Sequence, residues 1–209
     1  MKKTVKIIIG ILILAAVSFL YGHIAKVHTI YDSKTDADFY GNTGILTDAG
    51  VRQVFTSDEE YLDGVRIMCS VIGQGADTVI QYELKDLETG ETVAKGTEDG
   101  SDIENDKFHD FRFERVENCK GKTYEISLYS NKILGEKNEA GIGFYYENAM
   151  RQESSIVVAD NRVPDAVVEE GTLVMKTITD RFDLETCVVF FVFALYVILF
   201  MRFLYKLFK

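Results

Sequence analysis

Two uncharged apolar segments bracket the chain, and they decide which solvent its middle part meets. The first extends from Ile7 to Gly22 and the second from Cys187 to Met201. A membrane-spanning helix needs about 20 apolar residues, and flanking lysine or arginine side chains can extend a shorter segment by reaching the headgroups. The pattern therefore predicts two transmembrane helices, over residues 7–25 and 186–206.

Lysine and arginine residues cluster outside both segments, at the two ends of the chain. They are Lys2, Lys3 and Lys6 at one end and Arg202, Lys206 and Lys209 at the other. Because positive charge favours the cytoplasmic side of a membrane, residues 1–6 and 207–209 are predicted to be cytoplasmic and the part between the helices extracytoplasmic. The first segment is also long enough for a signal-peptide core, but the small residues that cleavage needs are poorly placed around residues 21–23. Retention as a signal anchor is favoured, and cleavage stays open.

Between the two segments, short runs of alternating apolar and polar residues are separated by glycine-containing turns. The alternation is clear at Ile80, Tyr82 and Leu84, and it is typical of strands with one buried face. Strands are predicted over residues 51–56, 64–72, 78–87, 92–96, 107–115, 123–130, 142–146, 155–159 and 172–178. With no long helical period among them, they indicate a mainly β fold, an antiparallel β-sandwich of the jelly-roll kind over residues 51–184. Residues 26–50 are predicted to be a connector with a possible edge strand.

The middle of the chain is strongly acidic. Residues 27–184 contain 16 of the 23 Lys and Arg and 32 of the 33 Asp and Glu, which gives this segment a formal charge of −16. Such a surface repels polyanions, so a role on nucleic acid or on an anionic lipid surface is not expected. Solubility explains most of these carboxylates.

Two cysteines, Cys69 and Cys119, lie in the same segment. Outside the cytoplasm they can form a disulfide, but two cysteines in a domain of this size do not make a disulfide framework. A Cys69–Cys119 disulfide and two unpaired thiols are both compatible with the sequence.

The sequence shows no recognisable catalytic constellation. None of the three histidines joins a serine or cysteine in a nucleophile motif, and no zinc-binding spacing occurs. We therefore predict no enzymatic activity and no catalytic residue, and we place His109 on the surface. An acidic loop over residues 98–106 offers Asp99, Asp102 and Asp106 as candidate ligands of a structural calcium ion, although a solvated turn is the favoured interpretation. No other cofactor is expected.

Two further sets of residues are candidates for contacts with a ligand or partner. Sugar binding uses exposed aromatic rings, for which Tyr61, Tyr129 and Tyr145 are candidates, although core packing is the default for a tyrosine in a strand. In the second apolar segment, Ala194 and Tyr196 provide a small and a polar residue of the kind that contacts a partner helix in a membrane, and chance composition is the alternative.

Five short motifs follow one another along the middle segment. They are Gln53 with Phe55, Leu62–Ile67, Leu84–Ala94, Asp102–Phe113 and Lys120–Ile126. This succession resembles an extracytoplasmic β-sandwich domain of bacterial membrane proteins, often Gram-positive, that is similar in style to carbohydrate-binding jelly rolls. Members are often attached to multispanning envelope proteins, including glycosyltransferase-like ones, whereas this chain has only its two predicted helices.

The resemblance implies a place in the bacterial plasma membrane, an integral membrane protein as partner and a glycan as possible ligand. We therefore expect a non-enzymatic accessory or interaction protein of the cell envelope that acts in surface polysaccharide assembly. The alternative is a glycan-binding module displayed on the membrane.

Overall fold

A computed structural model describes residues 3–149, 151, 155–158, 167–168 and 171–209. The chain forms two compact units, a helical unit of residues 1–26 and 180–209 and a β unit of residues 27–179. Lys2 and Ala159, which belong to the predicted basic end and to a predicted strand, lie outside the described residues.

The helical unit contains helix α1 (Lys3–Tyr21) and helix α2 (Leu184–Leu207). Asp183 caps α2, since its Oδ1 atom accepts a hydrogen bond of 3.2 Å from the amide of Thr186. Among the described residues, α2 is the one helix long and apolar enough to cross a membrane, and Ile8–Tyr21 is a shorter apolar helical segment. The second of the two predicted spans is therefore supported, and the first stays a prediction.

The predicted first helix was too long at its C-terminal end. It was placed over residues 7–25, but α1 ends at Tyr21, and strand β1 (His23–Thr29) follows. At Gly22 the chain passes so close to its neighbours that a Cβ atom would lie 2.8 Å from the Phe182 ring and 2.9 Å from Cβ of Cys187. A side chain at this position would therefore force its neighbours to shift.

A hydrogen bond and an ion pair connect Gly22 and Lys26 to Asp183 in the helical unit. The carbonyl of Gly22 accepts a hydrogen bond of 2.8 Å from the amide of Asp183, and the Asp183 carboxylate forms an ion pair with Lys26. The hydrogen bond from Lys26, together with that from the Thr186 amide, lowers the pKa of Asp183 to about 2. The cap of α2 is therefore charged at every physiological pH.

Twelve further strands follow β1. They are β2 (Gly41–Asn42), β3 (Val51–Thr56), β4 (Tyr61–Ile72), β5 (Val79–Asp86), β6 (Thr92–Asp99), β7 (Lys107–Glu117), β8 (Thr123–Ser130), β9 (Gly141–Glu147), β10 (Ile156–Val158), β11 (Val167–Val168), β12 (Thr172–Leu173) and β13 (Met175–Phe182). They form two antiparallel sheets. The seven-stranded sheet has the order β1-β13-β4-β9-β12, with β7 on β4 and β2 on β9, and the six-stranded sheet has the order β11-β10-β3-β8-β5-β6.

The core lies between the two sheets and is formed by every second side chain of the strands. Ile80, Tyr82 and Leu84 point inward from β5, as predicted, while the residues between them are exposed. Phe111 of β7 meets Tyr82 edge-on with ring centroids 5.4 Å apart, a favoured geometry for aromatic pairs. Each such fully buried side chain stabilises the fold by about 1.5–3 kcal/mol relative to exposure. The predicted mainly β fold with two antiparallel sheets is confirmed.

The segment predicted as a connector, residues 26–50, contains more structure than expected. Part of β1, a 3-10 turn (Ala37–Phe39) and β2 fall within it. The segment is tied to the sheet by Glu147, a carboxylate only 2% exposed. Glu147 accepts hydrogen bonds from the Asp32 amide (3.1 Å), the Thr35 hydroxyl (3.3 Å) and the Arg151 guanidinium (3.0 Å). These partners satisfy a buried charge that would otherwise be costly.

Candidate functional site

The three tyrosines predicted as ligand-binding candidates lie in different places. Tyr61 begins β4 and stacks under the Arg115 guanidinium, whose carbon is 5.1 Å from the ring centroid. Tyr145 of β9 donates a hydrogen bond of 2.5 Å to the Asp106 carboxylate, and this bond together with burial raises the pKa of Tyr145. Tyr129 belongs to β8 in the other sheet. The structure therefore does not bring the three together.

A polar depression lies on the outer face of the six-stranded sheet. Four outward side chains of β5 and β6 surround it, because Gln81 pairs with Thr97 and Glu83 pairs with Lys95 across the two strands. Its volume is about 490 Å³, and we call it the trough; its lining residues are Gln81, Tyr82, Glu83, Lys95, Gly96 and Thr97. Tyr129 of β8 is the register partner of Gln81 but does not line the trough. Its ring packs against Gly50, where a Cβ atom would lie 2.4 Å from Cδ1 of Tyr129.

Gly96 lies at the trough, and on the core side of β6 it leaves room for the ring of Tyr82. The Tyr82 side chain crosses β6 at this point, and its hydroxyl donates a hydrogen bond of 2.5 Å to the carbonyl of Arg112 on β7. A Cβ atom at position 96 would lie 2.2 Å from the Tyr82 hydroxyl oxygen. Burial, followed by the nearby Glu98 carboxylate, raises the pKa of Tyr82 to about 12, so this phenol stays protonated and remains a donor.

The outer face of the seven-stranded sheet has a different character. Lys176 of β13, Arg66 of β4 and Asp110 of β7 are successive register partners, and Phe108 and Arg112 flank Asp110 on the same side of β7. We call these five residues the basic face. Arg66 holds Asp110 with both Nε and Nη2, the latter at 2.9 Å, and this pairing lowers the pKa of Asp110.

His109 lies on the opposite side of β7 and was wrongly predicted to be on the surface. Its side chain is 18% exposed and sits between the sheets, with its ring centroid 5.1 Å from that of Phe111 and its Nε2 atom 3.8 Å from the Glu98 carboxylate. The strand period explains the error, since residues 109, 111 and 113 must share one face.

The candidate calcium ligands do not converge. Asp99 accepts a hydrogen bond of 2.9 Å from the amide of Ser101, which lowers the pKa of Asp99. The Asp106 carboxylate accepts hydrogen bonds from Tyr145 and from the Asn105 side chain (2.8 Å). In the described part of the chain, no group of three His, Cys, Asp or Glu residues is placed to hold a metal ion. Asp99, Asp102 and Asp106 as a calcium site thus stay a prediction that this geometry does not support.

The predicted alternative of a Cys69–Cys119 disulfide is wrong, because both are free, buried thiols. The amide of Cys119 bonds to the carbonyl of Glu60, whereas Cys69 lies nine residues further along, near the other end of β4. At about 3.3 Å per residue of strand, roughly 30 Å separates them, and a disulfide requires Cα atoms within about 7 Å. Burial raises the pKa of both thiols, that of Cys69 to about 12.

The two predicted partner-contact residues of α2 lie on different faces of the helix. Ala194 shares a face with Cys187 and Phe190, and Phe190 stacks on Tyr21 of α1 with ring centroids 4.3 Å apart. Tyr196 lies on the open face and is 63% exposed. It borders a depression of about 470 Å³ whose other lining residues are Val188, Val189, Val192 and Phe193. Tyr196 is therefore available to a partner, whereas Ala194 is only half-buried on the face towards α1.

Sequence reasoning did not single out Gln81, Thr97, Phe108 or Lys176 as site residues. The period of two assigns each of them to an outward face, but only the strand register shows that the first two meet across β5 and β6. Lys176 is far from its neighbours in sequence, so no local pattern could have placed it.

Comparisons with known proteins add little to this description. No protein-family model matches the chain, and no curated protein sequence matches it. Among solved structures, the chain is similar to one in "The 2.6A structure of Infectious Bursal Virus Derived T=1 Particles", with 7% sequence identity and a TM-score of 0.31. The match covers 74% of this chain and 39% of that chain. A TM-score this low supports no conclusion, so the assignment as a β-sandwich rests on the strand pairing.

Proposed function

We propose that this protein is a membrane-anchored, non-enzymatic accessory protein of the bacterial cell envelope that acts in surface polysaccharide assembly. Its jelly-roll-like β unit would lie outside the cytoplasm, and both chain ends inside. The observation that carries the proposal is the open face of α2, where Tyr196 presents a hydroxyl group in an apolar surface. A polar group at that depth in lipid gains from a hydrogen-bonding partner helix.

A binding role is proposed rather than a catalytic one because of the chemistry of the buried groups. A nucleophilic cysteine needs a lowered pKa, whereas burial raises the pKa of the Cys69 thiol to about 12. His109 is held between the sheets beside Phe111, and its side chain is only 18% exposed.

The test is purification of the full-length protein in a gentle detergent, followed by mass spectrometry of the proteins recovered with it. We expect stoichiometric recovery of a multispanning membrane protein. Tyr196→Ala should reduce this recovery, whereas Tyr205→Ala should not, since Tyr205 is equally exposed on α2 but lies near the end of the helix. Recovery of the protein alone would contradict the proposal.

Glycan binding is the second candidate, and the trough favours it. Gln81, Glu83, Lys95 and Thr97 present hydrogen-bond donors and acceptors around one depression. This arrangement suits a sugar, whose hydroxyl groups bond to polar side chains.

A glycan array probed with the full-length protein in nanodiscs tests this candidate. We expect Gln81→Ala to abolish binding and Tyr61→Ala to leave it unchanged, since Gln81 lines the trough and Tyr61 does not. Equal loss in both variants, or no bound glycan, would count against it.

A further inference from the structure

The basic face concentrates positive charge in a domain that is otherwise strongly acidic. Lys176 and Arg66 are direct register partners on neighbouring strands, and like charges in such a pair destabilise a sheet. Arg112 lies on the same face, and its Nη2 atom is 3.3 Å from the Asp110 carboxylate. Three cations thus surround one carboxylate, although residues 27–184 as a whole have a formal charge of −16.

The Asp110 carboxylate is shared by the two arginines. Asp110 receives two hydrogen bonds from Arg66 and a weaker one from Arg112. No carboxylate of the described residues forms an ion pair with Lys176. Its ammonium nitrogen instead lies over the Phe108 ring, 4.5 Å from the centroid, where a cation is attracted by the ring but keeps its capacity to bind an anion.

Aromatic rings continue this surface beyond Phe108. The Tyr31 ring is 6.2 Å from Phe108 and the Tyr40 ring is 6.3 Å from Tyr31, centroid to centroid. Burial, followed by the charge of Glu147, raises the pKa of Tyr31, so its hydroxyl group stays protonated and can donate a hydrogen bond. An ammonium group and a phenol donor therefore border a continuous aromatic surface.

We propose that the basic face, together with Tyr31, is a binding site for an acidic saccharide. The carboxylate or phosphate of the sugar is held by Lys176, and its ring lies against the Tyr31 side of the aromatic surface. The anion supplies the negative charge beside Lys176, since Asp110 is already held by Arg66. The site is on the opposite sheet from the trough, so it adds to the proposed function and does not depend on a membrane partner.

Isothermal titration of the full-length protein in nanodiscs of zwitterionic lipid tests the proposal. The probes are trigalacturonate and glucose 1-phosphate as acidic saccharides, maltotriose as a neutral saccharide, and inorganic phosphate. We expect at least one acidic saccharide to bind, with an affinity that falls as salt is added. Maltotriose and inorganic phosphate should bind at least tenfold more weakly.

Two matched variants assign the binding to Lys176. Lys176→Met keeps the apolar stem over Phe108 but removes the charge, and it should weaken binding of the acidic saccharide by about tenfold or more, the worth of one charge-assisted hydrogen bond. Lys85→Met removes an exposed lysine from the outer face of the other sheet, outside the trough, and should have no effect. Circular dichroism and thermal unfolding confirm that both variants fold.

Each other outcome overturns the proposal. Equal binding by wild type and Lys176→Met shows that this lysine serves only the packing of Phe108. If maltotriose binds as tightly as the acidic saccharides, the site does not require an anion. If inorganic phosphate binds as tightly, the site does not require a saccharide. No binding of either acidic saccharide refutes the site while leaving the co-purification test of the proposed function untouched.

Discussion

Gln53 offers the sharpest test of how the two sheets are joined. Its side chain is 0% exposed, yet it is polar. The Oε1 atom accepts a hydrogen bond of 2.7 Å from the amide of Leu173 in the opposite sheet. The Nε2 atom donates to the carbonyl groups of Val54 (2.7 Å) and Ser155 (3.1 Å). One side chain thus bonds to three backbone groups.

Replacing Gln53 with leucine keeps the approximate volume and removes all three hydrogen bonds. Each net hydrogen bond contributes about 1 kcal/mol to stability, and a buried amide left without a partner costs about 1–3 kcal/mol. Part of this loss is offset by the more apolar side chain. We expect Gln53→Leu to lower the free energy of unfolding by about 3 kcal/mol. For a domain of this size, that corresponds to a fall in Tm of about 6–12 °C.

Thermal unfolding of the full-length protein in detergent, followed by far-ultraviolet circular dichroism, measures this change. Arg52→Leu is the matched control, because Arg52 is the exposed neighbour on the same strand, and it should change Tm by less than about 2 °C. Gln53→Glu should destabilise more at pH 7 than at pH 4, since the ionised carboxylate would face two carbonyl oxygens. A fall in Tm below about 3 °C for Gln53→Leu would refute the assigned role of these hydrogen bonds.

Three further predictions concern the core and its thiols. Gly96→Ala should lower the free energy of unfolding by at least about 2 kcal/mol, because its Cβ would clash with Tyr82. Adding Tyr82→Leu should restore part of that loss, since the smaller side chain removes the clash. Urea unfolding measures both variants, and losses that simply add in the double variant would contradict this. Since the pKa of Tyr82 is raised to about 12 from about 10 in the unfolded chain, its contribution is complete below pH 10 and is lost as the pH rises towards 12. Wild type should therefore lose stability more steeply than Tyr82→Phe across that window, and parallel Tm curves would contradict the expectation. Dithiothreitol should leave Tm unchanged because Cys69 and Cys119 are unpaired, whereas a fall of several degrees would indicate a disulfide.

Local pattern was sufficient for the strands whose alternation is strong. β3 and β8 have the predicted bounds, residues 51–56 and 123–130, because each alternates between the core and the outer face. β1 was missed because its apolar residues continue those of α1, and only the close packing at Gly22 separates the two elements. β2 was missed because two residues show no period.

Side-chain orientation was predictable where the period was applied consistently. A strand was predicted over residues 107–115, and its period of two places His109 on the same face as the buried Phe111, so the sequence contained the correction. The alternation of side chains was not sufficient to reject a Cys69–Cys119 disulfide or to predict the basic face. They depend on how far apart two residues lie along paired strands, which follows from register and not from local composition.

The position of β13 has a consequence for the order of synthesis and folding. Residues 175–178 pair with residues 64–67 of β4, so the middle of the seven-stranded sheet is completed by almost the last residues before α2. Until the ribosome has made them, β4 presents an unpaired edge on that side, and such edges promote aggregation. Pairing over this sequence separation also slows folding. The emerging chain therefore needs protection until nearly its full length has been synthesised.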